Sequence, residues 1–350
     1  MHQSPTKPLR HVIITGGAGF IGSQISARLM KEKTRVTILT RNVSAPRAMA
    51  LAKQGCKLVA CDLGDPKRIP RPDLLGPADA MFHFAADVSV SSPTLRAANV
   101  DGTRRALALA DALAIPYVVY ASSIEAQGLG AESEIPLRED MACRPVSDYG
   151  QSKAQAEDLV NVWGSLPGHR SLVLRIGNIY GPGSAWFLHP SLLALLGATP
   201  IRTIWTQLRH RLFQPLFIDD LVEGLSRVVD RRLTGTYNIT GEELVTIDGY
   251  FTKLASLMQL TDRVHLMREP ATALSRSHPI APDFAYVLMG SEERCHRSYD
   301  NSRLRAEIGP YVCWSLSRGL AATVQWYDRS GQLPALLASL RRQPETMTCM

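Results

Sequence analysis

Two side chains suited to proton transfer stand four residues apart in the middle of the chain, at Tyr149 and Lys153. Positions i and i+4 share one face of a helix, so this spacing predicts an ammonium held beside a phenol. A nearby positive charge favours the ionised phenol. A free tyrosine titrates near pH ~10, so a pKa close to neutrality requires a few kcal/mol of positive charge. The pair is typical of a proton donor in redox chemistry.

A glycine-rich turn near the N-terminus predicts the binding of a dinucleotide. The segment Gly17-x-Gly19-x-x-Gly22 follows the apolar run Val12 to Thr15 and fits the dinucleotide fingerprint. Glycines let the backbone approach a pyrophosphate, and the helix that starts there offers free N–H groups to the anion. The alternative is a strand-helix turn without a ligand. The predicted cofactor contacts of this loop are Gly16, Gly19, Phe20, Ile21 and Gly22.

The segment Thr40-Arg41-Asn42 bears on the choice of cofactor. An acid that binds the ribose hydroxyl of NAD usually stands about here, and this chain has none. An arginine can pair with a 2′-phosphate, so Arg41 favours NADP(H), with NAD(H) as the alternative. A solvated surface arginine is the competing interpretation. Asp62 and Leu63, after the third predicted strand, are further candidate contacts, with Asp62 as an acceptor for the adenine amino group or as a helix N-cap.

The first half of the chain alternates short β-rich runs with helical stretches, which predicts a parallel sheet. We expect an α/β fold, a doubly wound Rossmann domain over residues 10–181 with later returns near 215–241. A smaller C-terminal substrate-binding region is predicted over 182–340, where Trp186 is a candidate substrate contact. The predicted strands are Val12 to Thr15, Val36 to Thr40, Lys57 to Ala60, Ala80 to Phe84, Tyr117 to Ala121, Leu172 to Ile176 and Tyr237 to Ile239.

Composition narrows the class of protein. A hydrophobic fraction of 45% with 20% charged residues is ordinary for a globular chain. The start is polar, and no apolar run approaches the ~20 residues that cross a bilayer, so we expect a cytoplasmic protein without membrane contact. The cysteines lack zinc spacing, which predicts no metal. Basic residues are scattered despite the net charge of +7, so we expect no nucleic-acid partner.

A series of short motifs, in order along the chain, makes it resemble the extended short-chain dehydrogenase/reductases from Val12 to about Tyr327. Their order and spacing together are specific, whereas each alone is weak. The motifs are TGGAGFIG (15 to 22), Asp62-Leu63, His83-Phe84-Ala85-Ala86, Asn99-x-x-Gly102-Thr103, Ala121-Ser122-Ser123, Tyr149-x-x-x-Lys153, Arg175-Ile176-Gly177-Asn178-Ile179-Tyr180-Gly181-Pro182, Tyr237-Asn238-Ile239-Thr240-Gly241 and Asp300-Asn301-Ser302-Arg303.

The resemblance implies a catalytic triad. The residue matching Tyr149 is the general acid/base, and the one matching Lys153 binds the nicotinamide ribose and lowers the tyrosine pKa. Ser123 orients the reacting oxygen. We prefer Ser123 to Ser122 because it lies four residues before Gln127, which takes the place of the tyrosine in the family's usual Val-Tyr-Gly ending.

The resemblance also implies supporting roles and a homodimer. Ala85 is a predicted cofactor contact, and Asn99 is a structural asparagine behind the site. Asn178 matches a residue that approaches the substrate diphosphate in nucleotide-sugar epimerases. His83 is expected to be positioned by the backbone near the pyrophosphate. The dimer would form through paired helices.

The main functional hypothesis is an NADP(H)-dependent oxidoreductase that interconverts a ketone and a secondary alcohol on a moderately apolar small molecule. A nucleotide-sugar 4-epimerase with retained NAD is the alternative, and a non-catalytic NADP-binding regulator is disfavoured by the intact triad. The 4,6-dehydratases carry an Asp-Glu pair after the active-site Ser or Thr. Ser123 is followed by Ile124-Glu125, so dehydratase activity is disfavoured although Glu125 remains.

Overall fold

The computed structural model describes residues 8–88, 92–184, 209–259, 261 and 293–333. Its centre is a parallel sheet of seven strands in the order β11-β7-β5-β4-β1-β2-β3. The described strands are β1 His11–Thr15, β2 Arg35–Thr40, β3 Lys57–Ala60, β4 Ala80–His83, β5 Tyr117–Ser123, β6 Gly130–Ala131, β7 Arg170–Ile176, β8 Asn178–Tyr180, β9 Leu212–Phe213, β10 Pro215–Phe217, β11 Gly235–Ile239, β12 Val245–Thr246 and β13 Arg294–His296.

Helices cover both faces of this sheet, which confirms the predicted fold class. All seven predicted strands belong to it, and its neighbouring strands pair in parallel. The described helices are α1 Phe20–Lys31, α2 Pro46–Lys53, α3 Gly102–Ala112, α4 Ile124–Gln127, α5 Asp148–Gly164, α6 Ile218–Asp230, α7 Ile247–Leu257, α8 Ser302–Ile308 and α9 Leu316–Arg329.

The continuous apolar sequence of β1 reflects its burial on both faces. Val12 and Ile14 pack on the side of α1, whereas Ile13 packs on the side of α3 and α5. The strand order reverses between β1 and β4, so a crevice opens at the carboxyl ends of these two strands. Ligands of doubly wound sheets bind at this switch point.

Two smaller sheets connect the C-terminal half to the Rossmann core. Strand β10 pairs in parallel with β8, and β13 pairs antiparallel with β6. Glu134 reinforces the second contact, because its carboxylate accepts hydrogen bonds from both terminal nitrogens of Arg294 at 2.5 and 2.6 Å. The C-terminal half is thereby anchored close to the end of β5.

Some local features differ from the sequence expectations. The sequence pattern of Asn99 to Leu113 predicts a helix; in the structure this region begins as a π-helical segment, Arg96–Asp101, and becomes α-helical only at Gly102. Helix α2 was not predicted. Trp186 and the apolar stretch around it lie outside the described residues. No helix in the described part of the chain is long and apolar enough to span a membrane.

Candidate active site

The glycine loop forms a cradle at the switch point. A Cβ on Gly16 would lie 2.6 Å from the Ala85 nitrogen, and one on Gly22 would lie 2.3 Å from the Gly16 oxygen. Helix α1 starts at Phe20 with no acidic residue in its first turn and, among the described residues, no side-chain cap. Its first N–H groups and positive dipole end are therefore available to an anion. This cradle fits the pyrophosphate of a dinucleotide.

A cavity of about 350 Å³ adjoins the cradle on the side of β2 and β3. Arg41, Asp62, Leu63 and Ala85 line it, so four predicted cofactor contacts share one space. Asp62 already has partners, because one carboxylate oxygen accepts from the Gly64 N–H at 3.0 Å and the other lies 3.3 Å from Arg68. Arg41 is exposed at the end of β2.

A second cavity, of about 410 Å³, brings the predicted triad to the glycine loop. Ser123, Tyr149 and Lys153 line it together with Asn178, which was predicted to contact substrate. Ser123 ends β5, whereas Tyr149 and Lys153 belong to the first two turns of α5. The loop residues that line the same cavity are Gly16, Gly19, Phe20, Ile21 and Gly22. A cofactor on the loop would therefore meet the phenol.

The three polar side chains have distinct environments. The Ser123 hydroxyl accepts from the Glu125 N–H at 3.2 Å and lies near enough to the Tyr149 phenol to lower its pKa. The Lys153 ammonium is buried, donates to the Ala121 carbonyl at 2.6 Å and lies 4.2 Å from the centre of the Tyr120 ring. Burial lowers the pKa of Lys153 to about 7, and the Glu157 carboxylate opposes this shift.

In the protein alone, the pKa of Tyr149 is raised, whereas the sequence analysis expected it to be lowered. Burial raises it, the hydrogen bond from Ser123 lowers it, and the charge of Glu125 raises it. The sequence expectation of a lowered pKa relied on Lys153 together with an oxidised nicotinamide, and it neglected the loss of solvent around the phenol and the ammonium. In addition, the Lys153 ammonium contacts the Ala121 carbonyl and the Tyr120 ring. A bound, positively charged group is therefore needed to bring the pKa of the Tyr149 phenol towards neutral pH.

Comparison with known proteins gives the family. The model of the NAD dependent epimerase/dehydratase family matches residues 12–240. The chain belongs to this family. It is therefore an enzyme of the extended short-chain dehydrogenase/reductase type, as its motifs indicated.

Individual relatives are epimerases and dehydratases of nucleotide sugars. A putative UDP-arabinose 4-epimerase of Arabidopsis thaliana is 31% identical over 183 residues, which are 49% of this chain and 42% of that protein. The chain thus spans less than half of that relative. A dTDP-glucose 4,6-dehydratase of Streptomyces griseus is 28% identical over 93% of this chain and 99% of its own length.

A solved structure agrees in fold. The UDP-glucuronic acid 4-epimerase of Bacillus cereus, in complex with NAD, superposes with a TM-score of 0.69 at 19% identity. The match covers 91% of this chain and 99% of that one. The shared fold extends beyond the Rossmann core into the C-terminal half.

The environment of Ile124 distinguishes this chain from dehydratases that carry an acid at this position. Ile124 is buried against Leu137 and Tyr299 in a small apolar cluster. An aspartate there would lose its hydration among apolar groups. The next residue, Glu125, lines the same cavity as Ser123 and Tyr149, and one of its carboxylate oxygens accepts from Arg297 at 3.1 and 3.2 Å. Its other oxygen, Oε2, has no hydrogen-bond partner in the described part of the chain.

Asn99 and His83 support the site from behind. The Asn99 amide exchanges hydrogen bonds with the backbone of Asp87 at 2.7 and 2.8 Å and donates to Ser152 at 2.9 Å. His83 is buried between the hydroxyls of Thr15 and Thr103, at 2.7 and 2.9 Å. The hydroxyl groups of Thr15 and Thr103 therefore hold the His83 ring, whereas the sequence analysis expected the backbone to position this residue.

Two sets of buried charges were not predicted from the sequence. Glu125 with Arg297 is one, and Glu157 with Arg175 is the other. A usable signal existed for the second set, because Arg175 interrupts the apolar strand Leu172 to Ile176 and a buried arginine requires an acid. Glu125 and Arg297 are 172 residues apart, and no local pattern connects them.

Proposed function

We propose that this protein uses NAD(H) to oxidise and re-reduce a secondary alcohol of a nucleotide-activated sugar, as a 4-epimerase. The observation that supports the proposal most strongly is the shared cavity, in which the glycine cradle adjoins Ser123, Tyr149 and Lys153. The relatives support the nucleotide-sugar substrate over an apolar ketone. Three segments suggested an apolar substrate, namely Asp87 to Pro93, Ala185 to Leu188 and Gln214-Pro215; of these, Ala185 to Leu188 lies outside the described residues.

The side chains divide the proton chemistry between them. When bound, the nicotinamide ring supplies the acceptor and donor of hydride. Tyr149, in its phenolate form, takes the proton of the substrate hydroxyl as that carbon is oxidised, and returns it on reduction. Ser123 hydrogen-bonds the same substrate oxygen and holds it near the phenol. Lys153 supplies positive charge that stabilises the phenolate.

The sugar diphosphate would meet Asn178, which lines the same cavity. The Asn178 side-chain nitrogen has no hydrogen-bond partner among the described residues, so it retains donor capacity for a phosphate oxygen. Arg209 and Arg211, just before Leu212, are further candidate ligands of the diphosphate; Arg211 is partly buried, and burial lowers its pKa. An arginine remains cationic across the physiological range, so Arg211 keeps its charge.

The test is a search for isomerisation without net redox. Purified protein is incubated with UDP-glucose or UDP-arabinose, and the product is identified by proton NMR while absorbance at 340 nm is followed. Inversion at C4 with no net change in reduced cofactor is the expected result. Cofactor extracted from the protein as purified should be NAD. Stoichiometric consumption of NADPH on carbonyl compounds, with unchanged sugars, would contradict the proposal.

Arg41 favours a second candidate, an NADP(H)-dependent reductase with exchangeable cofactor. It lines the cavity beside the cradle, and no acid occupies positions 40 to 42. A guanidinium there would pair with a 2′-phosphate, and NADP suits an enzyme that releases its cofactor each cycle. Measured affinities for NADPH and NADH separate the two candidates, because only the reductase requires tighter binding of NADPH.

We also propose a homodimer through α3 and α5. Val162 on α5 and Leu166 just after it are exposed apolar residues, and burying them against a second copy would remove apolar surface from water. Light scattering coupled to size exclusion should give twice the mass of 38.4 kDa. A concentration-independent monomer would contradict this assembly.

A further inference from the structure

A buried group of three side chains lies directly behind the triad, between the sheet and α5. Ser122 on β5 and Arg175 on β7 are register partners in the parallel sheet, so their side chains project from the same face. Both reach Glu157, which receives a hydrogen bond from the Ser122 hydroxyl. Arg175 contacts both Glu157 oxygens, at 2.9 and 3.1 Å. The carboxylate is thereby fixed in orientation.

This group is adjacent to Lys153 in two ways. Glu157 follows Lys153 by one helical turn on α5, which places their Cβ atoms about 5–6 Å apart. Their partners on β5 are also neighbours. The Lys153 ammonium donates to the Ala121 carbonyl, and the Glu157 carboxylate accepts from the hydroxyl of the next residue, Ser122. The two side chains of α5 therefore dock on consecutive residues of β5.

The other neighbours of Lys153 contribute little negative charge. Tyr120 presents its ring, and burial raises the pKa of its phenol well above the usual value. Burial lowers the pKa of His83 to about 3, so this imidazole is neutral. The Tyr149 phenol is also neutral in the free protein because its pKa is raised. Glu157 is the carboxylate that opposes the effect of burial on Lys153.

We propose that Glu157, held by Arg175 and Ser122, is a positioning residue that keeps Lys153 in its ammonium form beside the catalytic tyrosine. Arg175 has a necessary part in this, because a lone buried carboxylate would take up a proton and lose its charge. The bidentate ion pair keeps Glu157 ionised and aligned. A neutral Lys153 could no longer stabilise the Tyr149 phenolate.

The direct test is the titration of Lys153 itself. Protein labelled with 13C at the lysine ε carbon is titrated by NMR, and the Lys153 resonance is recognised by its loss in Lys153→Arg. In Glu157→Gln we expect the midpoint to fall by at least about 1 pH unit, a tenfold change in the ratio of ammonium to amine. Glu157→Asp should keep most of the wild-type midpoint. An unchanged midpoint in folded Glu157→Gln would overturn the proposal.

Two further variants control for folding and for distance. Glu157→Gln leaves the Arg175 charge unpaired, so the double variant Glu157→Gln with Arg175→Met removes both charges and should also lower the midpoint, by a smaller amount. Glu223→Gln removes a carboxylate that pairs with Arg227 on the outer helix α6, and should leave Lys153 unchanged. A fall of the same size in Glu223→Gln would show a non-specific effect and contradict the proposal.

The consequence for catalysis rests on the proposed function, whereas the NMR titration does not. If Lys153 must be charged, Glu157→Gln should lose more of its kcat/KM at pH 8 than at pH 6, so that the ratio of kcat/KM at pH 6 to that at pH 8 becomes about fivefold larger than in the wild type. A merely structural defect would lower the two values equally. A shifted lysine midpoint without any epimerisation would retain the positioning role and reject the proposed reaction.

Discussion

At the scale of single residues, the hydroxyl of Tyr149 should be essential for turnover. Tyr149→Phe removes the proton donor while keeping the ring, so we expect kcat to fall by about 100-fold or more. The dissociation constant of the cofactor, measured by fluorescence, should change little. The matched control is Tyr117→Phe on β5, whose hydroxyl donates to the Leu233 carbonyl away from the cavity. Full activity in Tyr149→Phe would contradict the proton-transfer role.

The charge of Arg41 should affect the choice between the two dinucleotides. In Arg41→Asp a carboxylate would repel the 2′-phosphate of NADPH and accept a hydrogen bond from the ribose hydroxyl of NADH. We expect the ratio of the two dissociation constants to move towards NADH by about tenfold or more, because a hydrogen bond to a charged group is worth about 1.5–3 kcal/mol. Arg71→Asp, an exposed arginine paired with Asp73, serves as the control. An unaltered ratio would remove Arg41 from the cofactor site.

The sequence contained the residues of the site but not the environment of each. Tyr149 and Lys153 could be paired because a helix fixes the i, i+4 spacing. The buried partners of Lys153 could not, since Ala121 lies 32 residues away and its carbonyl belongs to the backbone of another element. The pKa of Tyr149 depends on the removal of water by the whole fold. Helical spacing carries no information on that quantity.

At the scale of elements, the packing of α1 on the glycine loop should depend on the absence of one side chain. In Gly22→Ala the added Cβ would meet the Gly16 oxygen at 2.3 Å and the Gly17 Cα at 2.8 Å, both backbone atoms. Helix α1 must then move away from the loop, so we expect cofactor affinity to fall by about tenfold or more, measured by calorimetry. The loop N–H groups would no longer converge on the pyrophosphate.

Gly102→Ala in α3 is the matched control for this loss. Its added Cβ would be 3.4 Å from the Leu63 Cβ, an ordinary contact. Alanine is favoured over glycine in helices by roughly 0.5–1 kcal/mol, so this variant should be as stable as the wild type or more so. Equal cofactor affinity in the two variants would show that close approach at Gly22 does not matter.

The elements themselves differ in how well the sequence revealed them. Strand β1 was evident because Val12, Ile13 and Ile14 form an unbroken apolar run. Helix α2 was missed because it is short and buries only Ala48 and Leu51, so its periodic signal is weak. The π-helical segment before α3 contains Asn99, whose side chain hydrogen-bonds the backbone of Asp87, and no periodicity in the sequence encodes these contacts.

At the scale of the whole molecule, stability should fall with acidification through His83. The Thr103 hydroxyl donates to the Asn99 carbonyl, so it accepts from His83 Nε2–H, and Nδ1 then accepts from Thr15. We infer this neutral tautomer from the network. Because burial lowers the pKa of His83 to about 3, its contribution is complete above the unfolded value of 6.5 and is lost as pH falls below it.

Urea unfolding at several pH values measures this effect. Each such histidine contributes a slope of at most about 1.4 kcal/mol per pH unit below pH 6.5. Burial also lowers the pKa of His11, so part of the slope should remain in His83→Gln. His210→Gln, at an exposed site, should keep the full slope. A wild-type slope in His83→Gln would show that the imidazole already accepts protons in the folded state.

The ion pair between Glu125 and Arg297 bears on how this enzyme could be recombined with others. Glu125 follows Ser123 by two residues, whereas Arg297 comes from the C-terminal half. A chimera that takes residues beyond β12 from another protein, without an arginine at the place of Arg297, would strand a carboxylate in the interior at a cost of about 3–5 kcal/mol. A chimera that is designed to exchange specificity must therefore take Glu125 and Arg297 from the same parent protein.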